Sequence, residues 1–136
     1  MELRAEKVIK LISKLSNLVE DFDDVFSNKK YNLTIKDKFL IFVMDENKKP
    51  AMLIKELGVA KTNLAIISKE LLKEGLIFKT SDEKDRRSIV YSISEKGKLK
   101  VAEILGKLNK NITNQLSTKT NFENINYLID NLLLAL

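Results

Sequence analysis

Residues 52–97 read MLIKELGVAKTNLAIISKELLKEGLIFKTSDEKDRRSIVYSISEKG, and the order of elements in this stretch decides the fold. Just upstream, Pro50 has the fixed φ and missing N–H that suit a first helical turn, and Leu53, Ile54 and Leu57 give the helix it opens an apolar side. Gly58 ends that helix and Val59-Ala60 make a tight turn. Lys61 to Glu74 then forms a second helix, closed by Gly75 where a left-handed residue is required. Its 14 residues span about 21 Å.

At 100° per residue, Ile67, Ser68, Leu71 and Leu72 fall within about 80° of Leu64, which defines a core face. Thr62, Ile66, Lys69 and Lys73 gather on the opposite side, with Asn63 and Glu70 at its edge. Hydroxyls and amides read base edges in a major groove, an apolar side chain meets thymine methyls and Lys meets phosphate. A plain solvated face is the competing reading for such a helix taken alone.

The hairpin that follows argues against the plain reading. Leu76–Thr80 and Ser88–Ser94 are strand-like, with Ile89, Tyr91 and Ile93 alternating against Val90, Ser92 and Ser94. Between them lies SDEKDRR, residues 81–87, where an ordinary turn would carry Gly, Asn or Pro. Lys84, Arg86 and Arg87 on a protruding tip can follow phosphates or enter a minor groove. Asp85 is expected to support the wing by orienting Arg87 through a charge-assisted hydrogen bond. Two helices followed by a charged hairpin make a winged helix-turn-helix.

The run KELLKEGLIFKTSDEKDRRSIVYSISEKG resembles the MarR family of bacterial transcriptional regulators. The likeness lies in the helix ending Leu-x-x-x-Gly-Leu-Ile, the wing Asp-x-x-Asp-Arg-Arg at Asp82–Arg87, and the strand running into Ser94-Glu95-Lys96-Gly97. Two departures are visible: Glu83 stands where the family often has Pro, and Ser94 where it has Thr. The resemblance implies a dimer built from the N- and C-terminal helices. It also implies a small aromatic or phenolic effector in a cleft between those helices and the winged part. Phe22, Phe26, Tyr31, Phe39 and Phe42 could wall such a cleft, although on apolar faces they read first as core.

Composition agrees. A chain of 136 residues with 44% hydrophobic content is one domain by size. It has no window of 18 apolar residues, and MELRAEKVIK lacks the apolar core of a signal peptide, so a cytoplasmic protein with no membrane partner is expected. Without Cys or His there is no disulfide, no thiol chemistry and no ordinary zinc site, and no cofactor is expected. The same lack removes the usual catalytic bases and nucleophiles, and with four Gly there is no phosphate-cradling loop, so an enzyme is not expected. The net charge of +5 is unevenly placed: residues 48–100 carry 13 Lys/Arg against 7 Asp/Glu, leaving 11 bases and 12 acids elsewhere. A concentrated basic footprint suits counterion displacement from DNA. An acidic protein partner for the winged module is the alternative reading.

The flanks are helical. Glu2 to about Ser27 carries Val8, Leu11, Ile12, Leu15, Leu18, Val19, Phe22, Val25 and Phe26 at spacings of three and four. Thr34 with Asp37 reads as a capping pair for a helix to about Asp45, and Ser94 as the cap of a helix to about Asn114. Within the latter, Gly106 costs roughly 1 kcal/mol against Ala or permits a close crossing. Thr120 and Glu123 cap a last helix with an apolar seam through Leu136. The expected plan is mainly α with a small antiparallel hairpin: residues 34–97 form the winged helix-turn-helix, and 1–27 with 98–136 form a helical dimerisation part. These terminal helices have more apolar face than one chain can cover, which calls for an isologous homodimer.

The reading is therefore a regulator, most simply a repressor, on a pseudo-palindromic operator in double-stranded DNA. Thr62, Asn63 and Ile66 are the expected base contacts, Lys61, Lys69 and Lys73 the backbone contacts, and Lys84, Arg86 and Arg87 the wing contacts.

Overall fold

The computed structural model describes residues 4–26, 33–116 and 122–135. Its elements are α1 (Ala5–Phe26), α2 (Ile35–Asp45), α3 (Pro50–Leu57), α4 (Lys61–Lys73), β1 (Ile77–Ser81), β2 (Ile89–Ile93), α5 (Glu95–Leu116) and α6 (Phe122–Ala135). Packing divides the chain into two units. One is Leu33–Gly106; the other takes in α1, α6 and α5 from Lys107 onward.

The Leu33–Gly106 unit is built from local signals. Thr34 accepts from the Asp37 N–H at 3.2 Å while Asp37 accepts from the Thr34 N–H at 3.1 Å, a reciprocal cap that starts α2. Pro50 is the first residue of α3, and Gly58 ends it with the chain in the left-handed region. Gly75, at φ 75°, turns the chain out of α4 and into the hairpin. The strands pair antiparallel, Ile77 opposite Ile93 and Ser81 opposite Ile89, one residue later at the start of each than the alternation predicts. β2 also stops at Ile93, one residue short of the expected Ser94, whose side chain turns inward to bond backbone and is buried although its place in the alternation is on the polar side.

A single core fills this unit. Phe39, Leu40 and Val43 from α2, Leu53 from α3, Leu64, Ile67 and Leu71 from α4, and Ile77 and Tyr91 from the hairpin are all buried together. Phe39 meets Tyr91 edge to face at 5.6 Å between centroids, a geometry that aromatic quadrupoles favour. Phe39 is fully buried and Phe42 packs half-buried against the same cluster, as expected of core residues. The start of α5 lies hard against the hairpin. A Cβ on Gly97 would come within 2.2 Å of the Leu76 carbonyl oxygen and 2.6 Å of Ile93, which is why the first turn of the helix carries glycine.

In the other unit, no described residue of α1 is fully buried. Val8, Leu15, Leu18 and Phe22 are half-buried, while Ile9 is 66% exposed and Ile12 and Val19 are also exposed. On α6, Leu128, Ile129 and Leu132 are half-buried, and Tyr127, Leu133 and Leu134 stand open to solvent. The Thr120–Glu123 cap, Tyr31 and the side chain of Phe26 lie outside the described residues. Among the described residues, nothing beyond its chain neighbours and its own helix backbone lies within 4 Å of where a Gly106 Cβ would sit. No helix among those described is long and apolar enough to cross a membrane.

Candidate nucleic-acid interface

The helix α4 has one face committed to the core and one to solvent. Leu64, Ile67, Ser68 and Leu71 are buried, and Leu72 is half-buried. Lys61, Thr62, Asn63, Ile66, Lys69 and Lys73 are all exposed, Ile66 by 58%. Ile66 is the one large apolar side chain on this exposed face.

The wing is organised by its two aspartates. Asp82 Oδ1 accepts from the Lys84 N–H at 3.2 Å, and Asp82 Oδ2 lies 3.1 Å from Lys49 Nζ on the segment leading into α3. The Lys49 ammonium, with help from the Lys84 N–H, holds the Asp82 carboxyl below its ordinary value. Asp85 accepts from the Arg87 N–H at 3.1 Å and from the Ser88 hydroxyl at 3.0 Å. This corrects the sequence expectation: Asp85 clamps the backbone of the turn and does not hold the Arg87 guanidinium. Two such Asx turns make a tip without Gly or Pro, and leave Lys84, Arg86 and Arg87 exposed.

Among the described residues, none of Lys61, Lys69, Lys73, Lys84, Arg86 and Arg87 takes part in an ion pair. Other cations of the same unit are spent within the fold. Lys48, 7% exposed, donates to Glu56 at 2.9 Å and to Glu46 at 3.0 Å. Those carboxylates, Glu56 first, raise the Lys48 ammonium above the usual lysine value despite its burial. Its backbone also exchanges hydrogen bonds with Tyr91, at 3.0 and 2.8 Å, so Lys48 adds one residue of a third strand beside β2. The sequence reading missed this residue, for which the only local signal is the Glu46-x-Lys48 spacing.

The start of α4 and the wing meet around a cavity of about 520 Å³ lined by Lys49, Lys61, Pro50, Ile54, Leu64 and Tyr91 among others. The whole arrangement is therefore a helix face and a finger carried by one compact unit, with free cations on both.

The sequence profile of the family described as transcriptional regulator SarA/Rot matches residues 25–104, more than half of the chain and all of this interface. The chain belongs to the SarA/Rot family. It is thus a transcriptional regulator of the winged-helix type, and the winged-helix resemblance read from its wing and its strand end holds. No curated protein sequence matches it significantly. Solved structures share the fold across nearly its full length. The transcriptional regulator BldR from Sulfolobus solfataricus superposes with a TM-score of 0.67 at 19% identity, covering 99% of this chain and 100% of that one. The YusO protein of Bacillus subtilis gives 0.58 at 22% identity, covering 98% of each chain. The adhesin competence repressor AdcR from Streptococcus pyogenes gives 0.58 at 20% identity, covering 91% and 93%. At these identities the likeness speaks for the fold, and the fold of this SarA/Rot-family chain is that of winged-helix regulators.

Proposed function

We propose that this SarA/Rot-family chain acts as a homodimeric repressor that sets two copies of α4 into successive major grooves of a pseudo-palindromic operator. Two-fold symmetry then places the half-sites about one helical turn, roughly 34 Å, apart. Thr62, Asn63 and Ile66 read base edges, Lys61, Lys69 and Lys73 meet phosphates, and Lys84, Arg86 and Arg87 lie along the flanking minor groove or its backbone. The observation that carries this reading is the exposed face of α4, with an open Ile66 among unpaired cations, beside a wing whose backbone is clamped by Asp82 and Asp85.

A dimer formed by residues 1–27 and 98–136 is supported by the exposed Ile9, Ile12 and Val19 on α1 and Leu133 and Leu134 on α6. Repression is supported by the fold shared with AdcR, named a repressor. Relief by a small aromatic effector rests on the MarR resemblance. The cavity of about 520 Å³ between the start of α4 and the wing is lined by none of the five aromatics named for that cleft, and lends the effector no support. Selection of bound duplexes from a random pool, repeated with a phenolic ligand present, tests the proposal. A palindromic motif with half-sites one turn apart supports it. Recovery of no preferred sequence, with capture of acidic proteins instead, refutes it.

A further inference from the structure

Taken alone, the end of α4 is a poor phosphate-facing surface. From Lys69 to Glu74 the chain carries Lys69 and Lys73 against Glu70 and Glu74, a sum of zero, and a helix C-terminus adds roughly half a negative charge. Glu70 lies only about 70° from the centre of the face formed by Thr62, Ile66, Lys69 and Lys73. A free carboxylate at that place repels the backbone that its neighbours attract.

The structure supplies the missing charge from elsewhere. Lys36 on α2 sets its ammonium 2.5 Å from Glu74 Oε1 and 3.5 Å from Glu70 Oε2. Lys96 on α5 donates to the Glu74 carbonyl oxygen at 2.8 Å, meeting the helix end as a cation should. We propose that Lys36 is a positioning residue for DNA binding: by engaging Glu70 and Glu74 it keeps the C-terminal half of α4 cationic toward phosphate without touching DNA itself. This rests on the DNA-binding reading above. The hydrogen bond that Lys36 donates to the Glu74 carboxylate raises the Lys36 ammonium above its ordinary value, so it is charged at any physiological pH.

A purely structural staple between α2 and α4 predicts different behaviour. It acts through stability and cannot be relieved by removing the acids. The test uses the full chain and two labelled duplexes, the selected operator and a scrambled one, read by fluorescence anisotropy at two ionic strengths, with urea unfolding of each variant. Lys36→Met is expected to weaken binding to both duplexes about fivefold, and less at the higher salt. Lys36→Arg is expected to bind like the wild type. Glu70→Gln/Glu74→Gln is expected to bind at least as tightly as the wild type, and adding Lys36→Met to that pair to stay within about twofold of it. The inference is overturned if Lys36→Met leaves affinity unchanged, or if the triple variant is as weak as Lys36→Met alone. Wild-type protein that binds neither duplex overturns both this inference and the functional reading, whereas wild-type binding with an unrescued triple variant overturns this inference only.

Discussion

Replacing Ser94 by Ala probes the joint through which α4, the hairpin and α5 hold one another. The Ser94 hydroxyl donates to the Gly75 carbonyl oxygen at 2.6 Å and accepts from the Gly97 N–H at 3.0 Å, and the residue is only 5% exposed. Alanine removes both bonds, of which the one from the Gly97 N–H is buried. Loss of a helix N-cap costs about 1 kcal/mol. The part-buried hydrogen bond to the Gly75 carbonyl adds about 0.5–1.5 kcal/mol. The expected loss is therefore about 1.5–2.5 kcal/mol, a sizeable share of the roughly 5–15 kcal/mol typical of a domain. Urea unfolding followed by helical circular dichroism measures it directly. Ser94→Thr keeps the hydroxyl and is expected to stay within about 1 kcal/mol of the wild type. A loss below about 0.5 kcal/mol for Ser94→Ala, or equal losses for the two variants, would refute the assignment of this hydroxyl as the joint.

On DNA, Arg86→Ala is expected to weaken all sequences alike, whereas Asn63→Ala should relax preference at one or two positions by about 1–3 kcal/mol each, read from parallel selections. Unchanged preference in Asn63→Ala would remove it from the base-reading set. Asp82 has its carboxyl held low by Lys49, so this pairing stabilises the fold above the ordinary carboxylate value of 3.8 and is lost as pH falls through the lower folded value. Asp82→Asn, which keeps an oxygen for the Lys84 N–H, should be less stable than the wild type at neutral pH, with the gap closing in acid. A gap constant with pH contradicts the pairing. Ile12→Asp with Leu133→Asp should convert a dimer to a monomer in sedimentation equilibrium while leaving the winged unit's thermal transition in place. A wild-type chain that is already monomeric at micromolar concentration would contradict the dimer.

What could be read from the sequence was local chemistry. Pro50 opening α3, Gly75 closing α4 and the Thr34–Asp37 cap each depend on residues within four positions, and each stands in the structure. The core face of α4 was legible for the same reason, since a helix period needs only its own residues. What escaped was long-range pairing of charges. Lys36 with Glu70 and Glu74, Lys49 with Asp82, and Lys48 with Glu56 are joined by folding and not by spacing, and each looks in sequence like one more solvated Lys. The basic excess of residues 48–100 therefore overstated the free charge, because Lys48 and Lys49 are committed inside the fold. Asp85 was placed at the right position with the wrong partner, since a short side chain two residues from a backbone N–H reaches that N–H more readily than a mobile guanidinium. Phe39 was ambiguous for want of a partner, and Tyr91 across the core is that partner.

The account depends on a cationic helix and wing presented twice to one duplex, and the salt dependence of operator binding measures that most directly. If each chain neutralises about 3–5 phosphates, the slope of log K against log salt concentration should fall between about −5 and −9. A slope near −1 would mean that these side chains do not meet the DNA backbone, and would contradict the account.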